Sequence, residues 1–146
     1  MNKPTQAQID YSKKLHRLGV RKEIREGDWC IYDNRLVLII ELERKKIRSY
    51  ADYRIAGYVT KIDCNLLQKR FIPIWTNCDE CRLWLRGKGW KVLNIASGGS
   101  SVLVRIAKVV GKEVFRKRAE SPTLTEALLK AMVEVGKIQK KGGDLD

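Results

Sequence analysis

The sequence has few of the residues that build catalytic centres, and no apolar run long enough to cross a membrane. Its single histidine, His16, cannot form a paired metal-binding set, and neither G-x-S-x-G nor G-x-x-x-x-G-K-[ST] occurs. No apolar stretch approaches the roughly 20 residues that a bilayer requires. The opening residues, MNKPTQAQIDYSKK, contain no apolar signal segment. We therefore expect no enzymatic activity, no cofactor and no membrane association.

The chain has four cysteines and lacks an apolar signal segment. Without a secretion signal, we expect the cysteines to stay reduced in a cytoplasm. The four are Cys30, Cys64, Cys78 and Cys81. The C-D-E-C motif opens a predicted helix after a strand, where a helix N-terminus can stabilise a thiolate. Its two intervening carboxylates oppose a thiolate, and zinc would need a second ligand pair. We predict core positions for Cys78 and Cys81, with a metal or redox pair as the alternative.

Positive charge is the most prominent feature of the composition. The chain carries 30 Lys and Arg against 17 Asp and Glu, a net charge of +13 and a pI near 9.8. Such an excess attracts polyanions, of which nucleic acid is the commonest. It is equally compatible with a role in solubility alone. The function therefore depends on whether the cations gather on one surface.

Two cationic clusters are candidates for binding nucleic acid or another anion. In the first, cations can contact phosphates and tyrosines can stack on bases. Its residues are Arg44, Lys45, Lys46, Arg48, Tyr50, Tyr53 and Arg54. In the second, Arg116 and Arg118 share one face of a predicted strand if Phe115 faces the core, and Arg105 and Lys108 on the neighbouring strand can extend that face. The alternative for the first cluster is a solvated, mobile loop whose two tyrosines pack back onto the sheet. The alternative for the second is an ordinary exposed strand face.

The order of elements predicts an α+β protein: an N-terminal helix with a β-hairpin and further strands, then a β-α-β-β-β-α helix-on-sheet unit. The closing helix, predicted over 121–137, carries an apolar stripe at steps of three and four. Either Ser121 or Thr123 is its N-cap, and Gly136 is its predicted C-terminal glycine. We also predict that 36–40 form a strand buried on both faces, and that Gly57 makes a bulge within a strand over 55–62.

The sequence contains no Pro/Gly/Ser linker and no internal repeat. We therefore expect a single domain over 1–146, composed of two packed modules. The first module, 1–66, holds the N-terminal helix and strands, and the second, 67–137, holds the β-α-β-β-β-α unit. The charged, glycine-containing segment 138–146 is predicted to be a flexible tail.

The C-terminal half resembles a known group of proteins. Gly89-Trp90-Lys91-Val92 opens a strand after a short helix, and S-P-T-L-T-E-A-L from Ser121, followed by Ala131, begins the closing helix. From Phe71 onward this pattern resembles small bacteriophage and prophage proteins of unknown role, especially the phage ABA-sandwich domain family. The resemblance implies a helix–sheet–helix layer arrangement and a phage or prophage origin. It implies no catalytic residues.

These observations predict a non-catalytic, basic accessory protein of phage or prophage type. Its partner would be nucleic acid or another phosphate-bearing ligand, bound through a cationic surface in the host cytoplasm. The alternative is an inhibitor of a host defence system that binds a host protein or sequesters a signalling nucleotide. The sequence leaves the number of subunits open.

Overall fold

The computed structural model describes residues 3–44 and 49–142, and it confirms the α+β class. The helices are α1 Gln6–Arg17, α2 Cys64–Arg70, α3 Cys78–Gly87 and α4 Leu124–Gly142. The first five strands are β1 Trp29–Tyr32, β2 Arg35–Arg44, β3 Ser49–Ile55, β4 Tyr58–Asp63 and β5 Ile72–Pro73. The last three are β6 Lys91–Gly98, β7 Ser101–Val110 and β8 Glu113–Ser121.

The chain folds as two compact units. The first holds Arg21–Ile74 with the start of the chain, and the second holds Thr5–Val20 with the described chain from Trp75 onward. This division differs from the predicted boundary after residue 66, and it places α1 with the C-terminal elements. The reason is packing, since Leu15 and Val20 belong to the hydrophobic cluster that α4 covers. Among the described residues, no helix combines the length and the apolar character needed to cross a membrane.

The first unit is built on an antiparallel sheet with the strand order β4-β3-β2-β1-β5. Asp33 and Asn34 join β1 to β2 and both have positive φ, 51° and 59°, as a type I′ turn requires. At the far edge, β5 pairs only with β1 among the described strands. This confirms the edge position predicted for Pro73, which has no N–H to donate to a further strand.

Two predictions for this sheet were wrong. The 36–40 run is buried on one face only, because Val37 and Ile39 are fully buried whereas Ile40 is 37% exposed. The 55–62 segment is not one bulged strand: Ala56 and Gly57, with φ of 49° and 84°, form the turn between β3 and β4. Gly57 therefore lies in a hairpin turn that favours its positive φ, and not in a bulge.

The core of the first unit is centred on aromatic rings. Phe71 stacks on Tyr32 with centroids 4.3 Å apart, and Tyr53 meets Phe71 edge-on at 5.2 Å. Helix α2, which the sequence analysis did not predict, is capped by the Asp63 side chain and contributes the buried Leu67. The aromatic cluster gives this unit a hydrophobic core of its own.

The second unit has a three-stranded antiparallel sheet with the order β6-β7-β8. Helices α1, α3 and α4 bury their apolar residues in one cluster with Val104, Ile106 and Ala119 of the sheet. On the other face of the sheet Lys91, Arg105 and Arg116 are exposed, whereas Ala107 is 8% exposed. Within the described residues the arrangement is therefore helices on one sheet face, not the helix–sheet–helix layers implied by the phage resemblance.

Helix α4 begins after Thr123, the second of the two predicted N-caps, and ends later than predicted. Ser121 pairs with Val102 as the last residue of β8, and the Thr123 hydroxyl accepts a hydrogen bond from the Glu126 N–H at 3.2 Å. Gly136 does not end the helix: a Cβ there would lie 3.2 Å from the Leu18 Cδ1 atom, so its lack of a side chain permits close packing. Residues 138–142, predicted as tail, continue the helix, and 143–146 lie outside the described residues.

Helix α1 begins with the predicted capping box. The Thr5 side chain accepts from the Gln8 N–H at 3.1 Å, and the Gln8 side chain accepts from the Thr5 N–H at 2.9 Å. The Thr5 hydroxyl also donates to Glu126 at 2.9 Å, which joins the starts of α1 and α4. Trp75 is held similarly, by donating its N–H to the buried Ser12 hydroxyl at 2.9 Å.

Candidate anion-binding face

The register of β7 and β8 brings three arginines together on the exposed face of the three-stranded sheet. Arg105 lies directly opposite Arg118, and Arg116 lies opposite Ala107. Two residues of a strand span about 7 Å, and neighbouring strands lie about 4.8 Å apart. We call the surface formed by Arg105, Arg116 and Arg118 the arginine face.

The sequence pattern orients these side chains. Val104 and Ile106 on β7 and Ala119 on β8 alternate with the arginines and are buried beneath the helices. Because successive strand residues point to opposite faces, the arginines point to solvent. Phe115 packs partly against the core, as that orientation requires.

The arginine face is not neutralised by neighbouring carboxylates. None of its three arginines forms an ion pair within the part of the chain that the structure describes. The adjacent carboxylate, Glu120, instead accepts a hydrogen bond from the Ser101 hydroxyl at 2.6 Å. Directly opposed like charges destabilise a sheet, so the Arg105–Arg118 pair carries a cost that a bound anion would relieve.

A shallow depression lies within this surface. It has a volume of about 250 Å³ and is lined by Leu93, Arg105, Ile106, Arg116, Lys117 and Arg118. Leu93 is 55% exposed and occupies the bulge in β6, while Val109 and Val114 are 68% and 46% exposed. The surface therefore combines guanidinium groups with apolar side chains and contains no aromatic ring among its described residues.

Lys91 belongs to the same face but was missed by the sequence analysis. It is exposed and lies opposite Ala107, which in turn lies opposite Arg116. Strand alternation after the buried Trp90 is the signal that could have identified it. Lys108, proposed as an extension of the face, is instead 6% exposed and on the core side, so its assignment was wrong.

The structure describes the first predicted cluster only in part. Lys45, Lys46 and Arg48 lie outside the described residues, and Arg44 is the last residue of β2. Tyr53 is 6% exposed and packs between Tyr32 and Phe71. Burial first, and the nearby Tyr32 second, raise the pKa of the Tyr53 phenol. The prediction that Tyr53 stacks on bases is therefore wrong, because its ring is part of the core.

Tyr50 and Arg54 do reach the exposed face of the five-stranded sheet, but they lie among acidic residues. The Lys61 ammonium lies 5.7 Å from the Tyr50 ring centroid. It is also 3.8 Å from a Glu43 carboxylate oxygen and 4.0 Å from one of Asp52. Charges of both signs thus lie side by side among the described residues of this face.

The two cysteines of the C-D-E-C motif take different positions. Cys81 is fully buried, and Cys78 packs partly against the same core. In the described ranges, no group of three His, Cys, Asp or Glu side chains is placed to hold a metal ion. Both thiols are accommodated by hydrophobic packing.

Cys30 is the most strongly perturbed thiol of the first unit. It is fully buried in β1. Burial, and then the nearby Asp28 carboxylate, raise the pKa of Cys30 to about 12, although the Lys22 ammonium acts in the opposite direction. A thiol held in its protonated form is a poor nucleophile.

Comparison with known proteins adds no relative. No protein-family model matches the chain, and no curated protein matches it significantly.

Proposed function

We propose that the protein binds the phosphate backbone of double-stranded nucleic acid through the arginine face and performs no catalytic step. The observation that carries the proposal is the unneutralised Arg105–Arg118 pair with Arg116 beside it. Guanidinium groups donate two parallel hydrogen bonds to phosphate oxygens and stay charged at all physiological pH values. The net charge of +13 would assist the approach of a polyanion.

The choice of a duplex follows from what the arginine face presents. Proteins that bind single strands combine cations with aromatic rings on which bases stack. The described residues of this face supply aliphatic side chains instead, Leu93, Val109 and Val114. Contacts restricted to phosphates carry no direct sequence information, so we expect binding to be nearly independent of sequence.

The test is the salt dependence of binding to a 20-base-pair DNA labelled with fluorescein, followed by anisotropy. For the triple variant Arg105→Gln/Arg116→Gln/Arg118→Gln, the slope of log K against log salt should become shallower by about 2.7, which is 0.9 per lost contact. At 0.1 M salt, affinity should fall by roughly 500-fold, which is about eightfold for each lost contact.

A control variant removes two positive charges from the helix layer of the same unit. Lys130 and Lys137 lie exposed on α4, and the Lys130→Gln/Lys137→Gln variant should change the slope by less than about 0.5. A wild-type salt slope near zero would contradict the proposal. An equal loss of duplex affinity in the two variants would also contradict it. A large preference for single-stranded DNA would contradict the duplex assignment.

A second function is favoured by the exposed aliphatic side chains of the same face. Val109 and Val114 pair across β7 and β8 beside the arginines, and apolar patches with a charged border often mark protein interfaces. A phage or prophage protein with this surface could inhibit a host defence system by binding an acidic host protein, or by sequestering a signalling nucleotide. Capture from host lysate that survives nuclease treatment and is lost in Val109→Ser/Val114→Ser would favour this function.

A further inference from the structure

A second cationic surface in the same unit lies between α3 and the edge strand β6. A groove of about 480 Å³ is lined by Arg82, Arg86, Gly89, Trp90, Lys91 and Val92. Arg82 and Arg86 are four residues apart on α3, so they lie on the same side of the helix. No carboxylate is among the described lining residues. We call this surface the α3–β6 groove.

The groove cations are available to a ligand. Arg86 and Lys91 form no ion pair within the described chain, and both are exposed. Arg82 contacts Asp79 at 3.4 Å, but that carboxylate is 76% exposed, and ion pairs of this kind contribute little stability. A phosphate could replace Asp79 at small cost.

The walls of the groove are fixed by the core. The Trp90 side chain is 2% exposed, and Leu85 on the inner side of α3 is fully buried. Trp90 also donates its backbone N–H to the Leu85 carbonyl at 2.9 Å, which holds the start of β6 against the end of α3. The backbone positions of Arg86 and Lys91 relative to each other are therefore set before any ligand arrives.

Lys91 connects the groove to the arginine face. It lines the groove and also lies in a cross-strand row with Ala107 and Arg116. Two strand spacings, about 10 Å, separate the backbones of β6 and β8. The cations of the two surfaces therefore form a series without an intervening carboxylate among the residues named. In order, they are Arg118, Arg116, Lys91, Arg86 and Arg82.

We infer that the α3–β6 groove is a second phosphate subsite, which holds the same nucleic-acid backbone that crosses the arginine face. This inference rests on the proposed function and extends it. A continuous cationic path favours a polymer with regularly spaced phosphates over an isolated anion. The shared ligand chemistry is phosphate, and its two sources, a polymer backbone or a free nucleotide, are distinguished by the test.

The test compares Arg82→Gln/Arg86→Gln, which leaves Lys91 of the arginine face in place, with the control Lys130→Gln/Lys137→Gln, which removes the same charge from the same unit. Arg86 is exposed and the Arg82 side chain is 40% exposed, so the fold should be retained, and circular dichroism checks this. With the 20-base-pair duplex, the groove variant should lower the salt slope by about 1.8 and the control by less than about 0.5. At 0.1 M salt the groove variant should bind at least tenfold more weakly.

Three results would overturn the inference. The first is an unchanged salt slope in the groove variant, and the second is an equal change of slope in the control. The third is a groove variant that binds ADP and inorganic phosphate more weakly but binds the duplex as tightly as the wild type. If the arginine-face triple variant still loses duplex binding in any of these cases, the proposed function stands and only the subsite fails. If the triple variant binds normally, the proposed function itself fails.

Discussion

The exposed faces of the two sheets differ in how their charged side chains are paired. On the five-stranded sheet, Glu41 lies opposite Asp52, and Lys61 on the next strand lies 4.0 Å from Asp52. On the three-stranded sheet, Arg105 lies opposite Arg118 with no ion pair to either among the described residues. The comparison indicates that strand register, and not net charge, decides whether cations lie beside carboxylates.

The largest expected effect is a loss of stability in the first unit that leaves duplex binding by the second unit unchanged. Phe71→Ala removes a buried ring that stacks on Tyr32 at 4.3 Å, and should lower the free energy of unfolding by about 3–5 kcal/mol. Urea denaturation measures this loss. Tyr58→Ala, at a 76% exposed position, is the control and should cost less than about 0.5 kcal/mol.

Duplex affinity of the Phe71→Ala variant, measured where it is still folded, should match that of the wild type. The reason is that the arginine face belongs to the second unit. A parallel loss of binding and stability would mean that the two sheets do not act separately.

The second prediction concerns alkaline pH. Because the pKa of Cys30 is raised to about 12 in the folded protein from 9.0, the unfolded chain loses this proton first as the pH rises. The stabilising contribution is therefore complete below pH 9 and is lost progressively between pH 9 and 12. At pH 10 the loss should be about 1.4 kcal/mol.

Urea denaturation at pH 8 and pH 10 should show this loss in the wild type and a smaller one in Cys30→Ala. The comparison between the variants cancels the titration of lysines and tyrosines. An identical pH dependence in both proteins would show that Cys30 does not control the alkaline stability of the five-stranded sheet.

Much of the fold could be predicted from the sequence because its signals are local. The T-x-x-Q capping box of α1, the alternation in β7 and the helical stripe of α4 each depend on neighbouring residues only. Gly57 and Gly136 were misread because their roles depend on tertiary context. A glycine in a tight hairpin and one beneath Leu18 look like any bulge or helix-ending glycine in a single sequence.

The residues of the candidate site also divide into those that local sequence could place and those that it could not. Arg105, Arg116 and Arg118 could be placed on one face because strand alternation alone decides the orientation of each. The face of Tyr53 depends on the register between β3 and β2, which the sequence does not encode locally, and its ring is buried. The α3–β6 groove was missed because Arg86 and Lys91 belong to two elements whose contact only the folded chain reveals.

The third prediction asks whether the first sheet would bind anions without its carboxylates. Glu41→Gln/Asp52→Asn leaves Arg54 and Lys61 on that face with fewer acidic neighbours, so the slope of log K against log salt should steepen by about 1. The control Asp10→Asn/Glu134→Gln makes the same charge change on α1 and α4. Equal steepening in both variants would show that net charge, and not the face on which it lies, sets the affinity.

The smallest expected effect is the most specific to the arginine face. Arg118→Thr removes the like-charge pair with Arg105, so we expect the free energy of unfolding to rise by about 0.2–1 kcal/mol. The same variant should bind the duplex about tenfold more weakly at 0.1 M salt, since one phosphate contact is lost.

Arg116→Thr is the matched control for that prediction, because it makes the same substitution on the same strand opposite Ala107. It should weaken binding to the same extent without the gain in stability. Thermal unfolding and anisotropy on the two variants give both quantities. If Arg118→Thr is more stable to unfolding but binds the duplex more weakly, Arg118 is a residue that lowers the stability of its sheet and contributes to binding. Equal stability changes in the two variants would show that the opposed guanidinium groups carry no cost, and would remove the physical reason for placing the anion there.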